Sequence, residues 1–230
     1  MRKIIFDIET CCFPFESLSE SQQEYLLRYA EKEQNEDLKT QKREDAIRYL
    51  SLYPLTAKVI ALGIFDIEKE KTFVYYENNS EEEWSLENKN VHFKGVKEED
   101  ILKSFWRIID VTDQVITFNG KNFDIPFLMT RSAVHKIRPS KNLLSKRYDS
   151  SLHIDLLEQF TYFGLIRKFN LDFYCHAFGI DSPKSKGVSG MDVKNLYEAG
   201  KIKDIAVYCS EDVHAEYKLF KIWNEYLDFG

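Results

Sequence analysis

Three acidic motifs in the chain carry the residue types that bind hard divalent cations. The first is Asp7-Ile8-Glu9, in a run rich in β-branched and aromatic residues. Alternation along a strand places Asp7 and Glu9 on the same face. Two carboxylates that lie side by side on one face of a strand raise each other's pKa unless a cation lies between them. Taken alone, the spacing is more typical of an edge strand whose acids face water.

The second motif follows an apolar run and reads Asn-Gly-Lys-Asn-Phe-Asp from Asn119 to Asp124. Strand ends of this kind are where ligands bind in α/β folds, so Asp124 is a candidate metal ligand. Taken alone, Asp124 is better explained as a helix cap, because it stands two residues before Pro126, where a first helical turn tolerates proline. Asn119 is also a residue type that turns accept in the left-handed conformation.

The third motif lies in a predicted C-terminal helix and runs from Tyr208 to Asp212. Asp212 falls on the apolar stripe of that helix, where an ionised carboxylate is costly unless it meets a cation, a donor or a metal. Tyr208 lies one turn earlier on the same face, which places a phenol beside the carboxylate. For Tyr208 alone, core packing is the more frequent explanation.

Together the three motifs resemble the DnaQ-like, or DEDD, superfamily of 3′-to-5′ exonucleases. Tyr208 stands four residues before Asp212, which matches the tyrosine subtype. The likeness is to proteins related to the exonuclease domain of family B DNA polymerases, and residues 153–156 and 186–190 also suit it. This resemblance implies an α/β, ribonuclease H-like fold with a mixed central sheet of about five strands flanked by helices.

The resemblance also implies the chemistry of the site. Asp7 would lie between two Mg²⁺ or Mn²⁺ ions, Glu9 and Asp212 would complete the site of the first ion, and Asp124 would hold the second. All four are oxygen donors, which such cations prefer. Tyr208 would orient the attacking water, since an unperturbed phenol with a pKa near about 10 is a poor base. The expected reaction is phosphodiester hydrolysis by a two-metal mechanism.

The expected substrate is the 3′ end of a single-stranded nucleic acid, and the family likeness favours DNA over RNA. Thr10, Asn119 and Phe123 are candidate substrate contacts, because an amide can bond a terminal nucleotide and a ring can stack on a base. Phe123 could equally belong to the core. Asp155 is interpreted as an acid that supports the ligands or the fold, and not as a metal ligand. A basic run offers contacts to the phosphate backbone or is only solvated surface: Lys136, Arg138, Lys141, Lys146 and Arg147.

Hydrophobic patterning predicts the elements that position these residues. Strands are predicted at residues 3–8, 57–67, 71–76, 114–118 and 151–156. Helices are predicted at residues 98–109, 124–134 and 203–227. Residues 78–91 have the polar composition of a surface loop. Residues 16–52 are interpreted as an insert of one or two exposed helices within a single domain that spans residues 1–230.

Composition constrains the partners and the compartment. The net charge of −6 argues mildly against a nucleic-acid partner, although bound divalent cations would reverse the local field. Four cysteines without CxxC spacing favour free thiols and a cytoplasmic protein. The chain has no apolar stretch near the roughly 20 residues of a membrane helix, so no membrane partner is expected.

Three other functions fit parts of the pattern. An exoribonuclease could use the same motifs, because none of them reads a 2′-hydroxyl. An endonuclease of the wider ribonuclease H class would share the acidic chemistry, although the Tyr-x-x-x-Asp helix favours the exonuclease. A non-catalytic nucleic-acid or protein-binding module would have little physical reason to keep four converging carboxylates.

Overall fold

The computed structural model describes residues 1–144, 148–182 and 192–228. The strands within these ranges are β1 (Lys3–Cys12), β2 (Ala57–Asp66), β3 (Lys71–Glu77), β4 (Glu82–Leu86), β5 (Val91–Val96), β6 (Gln114–Thr117) and β7 (His153–Asp155). The helices are α1 (Glu20–Leu27), α2 (Glu36–Arg48), α3 (Glu98–Asp110), α4 (Asp124–Val134), α5 (Leu156–Phe160), α6 (Leu171–Ala177), α7 (Val193–Glu198) and α8 (Ile202–Tyr226). Short 3-10 helices cover Phe15–Ser17, Tyr49–Leu52 and Glu87–Lys89.

The strands form one mixed sheet in the order β4-β5-β3-β2-β1-β6-β7. β1 pairs antiparallel with β2 and parallel with β6, and β6 pairs parallel with β7. The strand with the first acidic motif is therefore internal, and the edge-strand alternative for Asp7 and Glu9 is wrong. Because β1, β6 and β7 are parallel, their carboxyl ends meet at one edge of the sheet, where α/β proteins bind ligands.

Helices cover both faces of the sheet, and alternation along β1 decides which residues face them. Phe6 and Ile8 belong to the core beneath α3 and α4, where Phe6 meets Phe105 edge-on at 5.0 Å between ring centroids. Ile5 points the other way and packs in the core that includes Val213 of α8. The α/β fold with a mixed central sheet is confirmed, and the sheet separates two apolar layers.

A buried ionic cluster joins α3 to α4. Glu98 accepts from the Arg131 guanidinium at 2.8 and 2.7 Å, from the His135 imidazole at 2.8 Å and from the Val59 backbone amide at 2.9 Å. These donors hold the pKa of Glu98 below its usual value, although burial opposes them. With every oxygen paired, the cluster fixes the angle of α4, the helix that begins at Asp124.

The described residues contain seven strands, whereas about five were expected. The interpretation of residues 78–91 as a surface loop is wrong. β4 lies inside this segment and β5 begins at its end. Trp84 of β4 pairs with Phe93 of β5, and their rings stack at 3.8 Å. The sequence hid β4 because it is a half-exposed edge strand with polar residues on both sides of Trp84.

The other predicted elements are confirmed within a few residues. The predicted hairpin is β2 and β3, which pair antiparallel. The helices predicted at 98–109, 124–134 and 203–227 are α3, α4 and α8. The predicted fifth strand is the short β7. None of the helices in the described ranges is long and apolar enough to cross a membrane.

The chain between β1 and β2 contains two helices, where one or two were predicted. The side chains of Ser19 and Gln22 form a capping box at the start of α1. Asn35 caps α2, because its side chain accepts from the Leu38 backbone amide. The segment returns to the sheet through the 3-10 helix Tyr49–Leu52, where the Thr10 hydroxyl donates to the Ser51 carbonyl at 2.7 Å. The insert is thus attached to the strand that bears the first motif.

Candidate active site

The first two carboxylates project from the middle of the sheet toward α8. Asp7 pairs with Gly63 and Glu9 with Ala61 of β2, and a register shift follows Glu9. A Cβ at Gly63 would lie 3.1 Å from both the carbonyl oxygen and the sulfur of Cys209. Glycine at this position therefore allows α8 to approach the sheet beside Asp7.

Asp124 does not cap its helix. The N-cap of α4 is Phe123, without a side-chain capping bond, and Asp124 is the first helical residue. Its Oδ1 instead accepts from the Ile8 backbone amide at 3.1 Å, between Asp7 and Glu9 along β1. The carboxylate is 3% exposed. The capping interpretation is therefore wrong, and Asp124 faces the first motif.

The turn before α4 is organised by Asp155. Asn119 has a φ of +67°, as its residue type allows. The Asn119 and Lys121 amides donate to the two Asp155 oxygens at 3.0 and 2.9 Å. Asp155 also accepts from the Leu157 and Glu158 amides at the start of α5. Its oxygens hold two backbone segments in place, which confirms the interpretation of Asp155 as a structural acid.

The third motif lies on the face of α8 that packs on the sheet. Tyr208 is 6% exposed and Asp212 is 7% exposed. Burial first, and then the charge of Asp212 and a hydrogen bond with it, raise the pKa of Tyr208 far above its ordinary value. The phenol therefore keeps its proton and can serve as a donor that orients a bound group.

Three of the predicted ligands converge. Carboxylate oxygens of Asp7, Glu9 and Asp212 all lie within 4.8 Å of one another. Asp124 is not part of that group, but its charge is among the leading influences on both Asp7 and Glu9. The donor set fits a hard divalent cation, because it consists of carboxylate oxygens from separate elements with no cysteine or histidine among them.

The electrostatics of the cluster are unfavourable for a metal-free, fully ionised state. Burial, followed by the charges of the neighbouring acids, raises the pKa of Asp7 and of Glu9 well above their usual values. Burial raises the pKa of Asp124 to about 7, although the amides of Ile8 and of Asp124 itself lower it. A cation between the carboxylates would remove this repulsion.

Glu216 is a fifth carboxyl group at this site that the sequence motifs did not identify. It lies one turn beyond Asp212 on α8 and is 1% exposed. Burial, then the charges of Asp124, Asp212 and Asp155, raise its pKa well above the usual value, and the Phe118 amide lowers it. The available signal was its spacing of four residues from Asp212 on the apolar stripe.

The candidate substrate contacts are placed near the carboxylates, with different surroundings. Thr10 is 8% exposed and its hydroxyl bonds Ser51. The Asn119 side chain accepts from Asn122 at 3.0 Å. Phe123 packs against the core and lies 5.6 Å from the Phe127 ring. These positions leave the substrate roles as predictions.

The candidate basic contacts lie after α4. Lys136 and Arg138 are exposed, whereas the Lys141 ammonium donates to the Thr112 carbonyl at 2.6 Å. Lys146 and Arg147 lie outside the described residues, as do residues 186–190 of the family resemblance. Contact of this run with a phosphate backbone stays a prediction.

Fold and site together define an α/β protein of the ribonuclease H-like class with a carboxylate cluster at the centre of its sheet. A family profile described as a predicted 3′-5′ exonuclease related to the exonuclease domain of PolB matches residues 57–226. The chain belongs to this family, which confirms the resemblance drawn from the motifs. Asp124, Tyr208 and Asp212 lie within the matched range, and Asp7 and Glu9 precede it.

Among solved structures, the chain is similar to the family B DNA polymerase from the hyperthermophilic archaeon Pyrobaculum calidifontis. The TM-score is 0.61 with 16% sequence identity, over 97% of this chain and 24% of the polymerase chain. At this identity the likeness establishes the fold. The chain spans about a quarter of the polymerase. A comparison with curated proteins gave no match.

Proposed function

We propose that this protein is a metal-dependent 3′-5′ exonuclease that hydrolyses phosphodiester bonds at the 3′ end of single-stranded nucleic acid, with DNA preferred. The observation that carries the proposal is the convergence of Asp7, Glu9 and Asp212 oxygens within 4.8 Å of one another, beside Asp124. Membership of the exonuclease family supports the reaction class. The DNA preference depends on the family likeness alone.

The proposed cofactors are two divalent cations, Mg²⁺ or Mn²⁺. Asp7, Glu9 and Asp212 would hold one, and Asp7 and Asp124 the other. When bound, such ions lower the pKa of water and stabilise the charge that develops on the attacking and leaving oxygens. The carboxylates would hold these ions, and the hydrogen bond from Ile8 to Asp124 links β1 to α4 beside them.

Tyr208 is proposed to orient the attacking water. Its hydroxyl lies beside Asp212, and burial together with the surrounding acids keeps it protonated. A protonated phenol donates one hydrogen bond and accepts others, so it can fix the position of a water molecule without removing its proton. Thr10, Asn119 and Phe123 are proposed to contact the terminal nucleotide.

We also propose a single domain over residues 1–230 with a helical insert at about 16–52. The four cysteines, which are all buried free thiols, support a reducing compartment such as the cytoplasm.

The test is digestion of 5′-labelled single-stranded DNA and RNA with Mg²⁺, Mn²⁺ or EDTA. The wild-type protein should produce a ladder that shortens from the 3′ end, only with metal, and faster on DNA. Asp7→Asn and Asp212→Asn should abolish the ladder. Glu211→Gln should retain it, because Glu211 lies next to Asp212 in sequence but pairs with Lys89 at 3.4 Å.

The other outcomes separate the alternatives. A ladder on RNA alone would indicate an exoribonuclease. Internal cuts without a ladder would indicate an endonuclease. A folded wild-type protein that binds the oligonucleotides and cleaves neither strand in either metal would favour the binding module and refute the proposed activity.

A further inference from the structure

Glu216 is buried more completely than the four carboxylates of the motifs, Asp7, Glu9, Asp124 and Asp212, and one of its oxygens is unpaired. The residue is 1% exposed, and its Oε2 has no hydrogen-bond partner among the described residues. A buried acceptor without a partner is costly, and native proteins rarely keep one that serves no purpose. The orphaned oxygen therefore indicates a missing partner.

Two other buried glutamates lie beside a cationic side chain. Glu98 accepts from Arg131, His135 and the backbone. Glu158 Oε2 also has no hydrogen-bond partner among the described residues, but it lies 3.1 Å from the Lys121 ammonium. Both are structural, since a cation from a neighbouring element neutralises each. The charges that act most strongly on Glu216 are carboxylates instead.

The position of Glu216 associates it with the side of the cluster near Asp124. It follows Asp212 by one turn on the buried face of α8, and the nearby Phe118 amide lies just before the turn that leads to Asp124. Glu216 is not part of the group whose oxygens lie within 4.8 Å of one another. An intervening water molecule would account for both its distance from that group and its unpaired oxygen.

We propose that Glu216 is a positioning carboxyl group of the metal site, whose Oε2 accepts a hydrogen bond from a water ligand of the ion held by Asp124. This inference rests on the proposed two-metal function and extends it to a residue outside the family motifs. Groups that bond metal-bound ligands typically change metal affinity by about 10- to 100-fold when they are removed.

The experiment is a Mn²⁺ titration of the full chain. Binding is measured by calorimetry and by electron paramagnetic resonance of free Mn²⁺. Glu216→Met removes the acceptor and keeps the length of the side chain, whereas Glu216→Gln removes the charge and keeps one acceptor oxygen. Glu225→Gln, on the exposed end of α8, controls for the loss of one formal charge from the helix. Thermal melts in EDTA verify that each variant folds.

The wild-type protein and Glu225→Gln should bind two ions. Glu216→Met should bind one ion with unchanged affinity and the other about 10- to 100-fold more weakly, and Glu216→Gln should fall between it and the wild type. A purely structural role predicts a different melting temperature with both affinities unchanged, and that result in either folded variant would overturn the inference. If Glu216→Met does not fold, Glu216→Gln decides by itself. The inference requires that any loss of Mn²⁺ affinity, even a partial one, affects only one of the two ions.

The experiment also distinguishes failure of this inference from failure of the proposed function. If the wild-type protein binds two ions and the Glu216 variants bind both with the wild-type affinities, only the role of Glu216 is refuted. A wild-type protein that binds no Mn²⁺ would refute the role of Glu216 and the two-metal function together.

Discussion

Replacing Asp124 with Asn should stabilise the metal-free protein at neutral pH and weaken its metal binding. Burial raises the pKa of Asp124 from 3.8 to about 7. Because the folded-state pKa is the higher one, the folded protein binds the proton more tightly between about pH 4 and 7, so the free energy of unfolding falls as pH rises through this range. About 3 pKa units at 1.36 kcal/mol each correspond to about 4 kcal/mol lost by pH 8.

The Asn side chain avoids this loss and keeps the contact with β1. Its carbonyl oxygen can accept from the Ile8 amide as the Asp124 carboxylate does. In EDTA, Asp124→Asn should therefore exceed the wild type in stability by at most about 4 kcal/mol at pH 8. The advantage should shrink as pH falls and disappear near about pH 4, where both states of the wild type are protonated.

Urea unfolding in EDTA at several pH values between about 4 and 8 measures this difference, with Asp110→Asn, at the exposed end of α3, as the matched control. Saturating Mn²⁺ should narrow this difference or cancel it, because a ligand at 1,000 times its Kd adds about 4.1 kcal/mol to a protein that binds it. A stability difference that is the same at pH 5 and 8, or a wild type that is more stable at pH 8 in EDTA, would refute the reasoning.

Three further substitutions test the elements that hold the site. Asp155→Ala should leave the amides of the turn before α4 and of the start of α5 without acceptors, and we expect a loss of about 1 to 3 kcal/mol for each of the buried amides of Leu157 and Glu158 in urea unfolding. Glu98→Gln should cost about 3 to 5 kcal/mol in the same assay, because it leaves the buried Arg131 charge unpaired, and a loss below about 1 kcal/mol would contradict this. Gly120→Ala should distort the turn, since its Cβ would lie 2.6 Å from the Thr117 Cβ, and a crystal structure with an unchanged turn and full nuclease activity would disprove this account.

The sequence by itself determined the features that depend on neighbouring residues. Period-two alternation placed Asp7 and Glu9 on one face of a strand, and the helical period placed Tyr208 beside Asp212. The polar turn and Pro126 fixed the start of α4 at Asp124, as observed. These are local properties of the backbone, and a one-dimensional pattern is enough to specify them.

The tertiary structure decided what the local pattern left open. The local sequence around Asp124 favoured a helix cap, and only the contact with Ile8, 116 positions away, excluded it. Glu216 resembled an ordinary helical residue until burial and its unpaired oxygen distinguished it. β4 was hidden because the stacking of Trp84 depends on its partner in β5. Burial, pairing and pKa depend on which distant segments meet, and the sequence pattern of one segment does not contain that information.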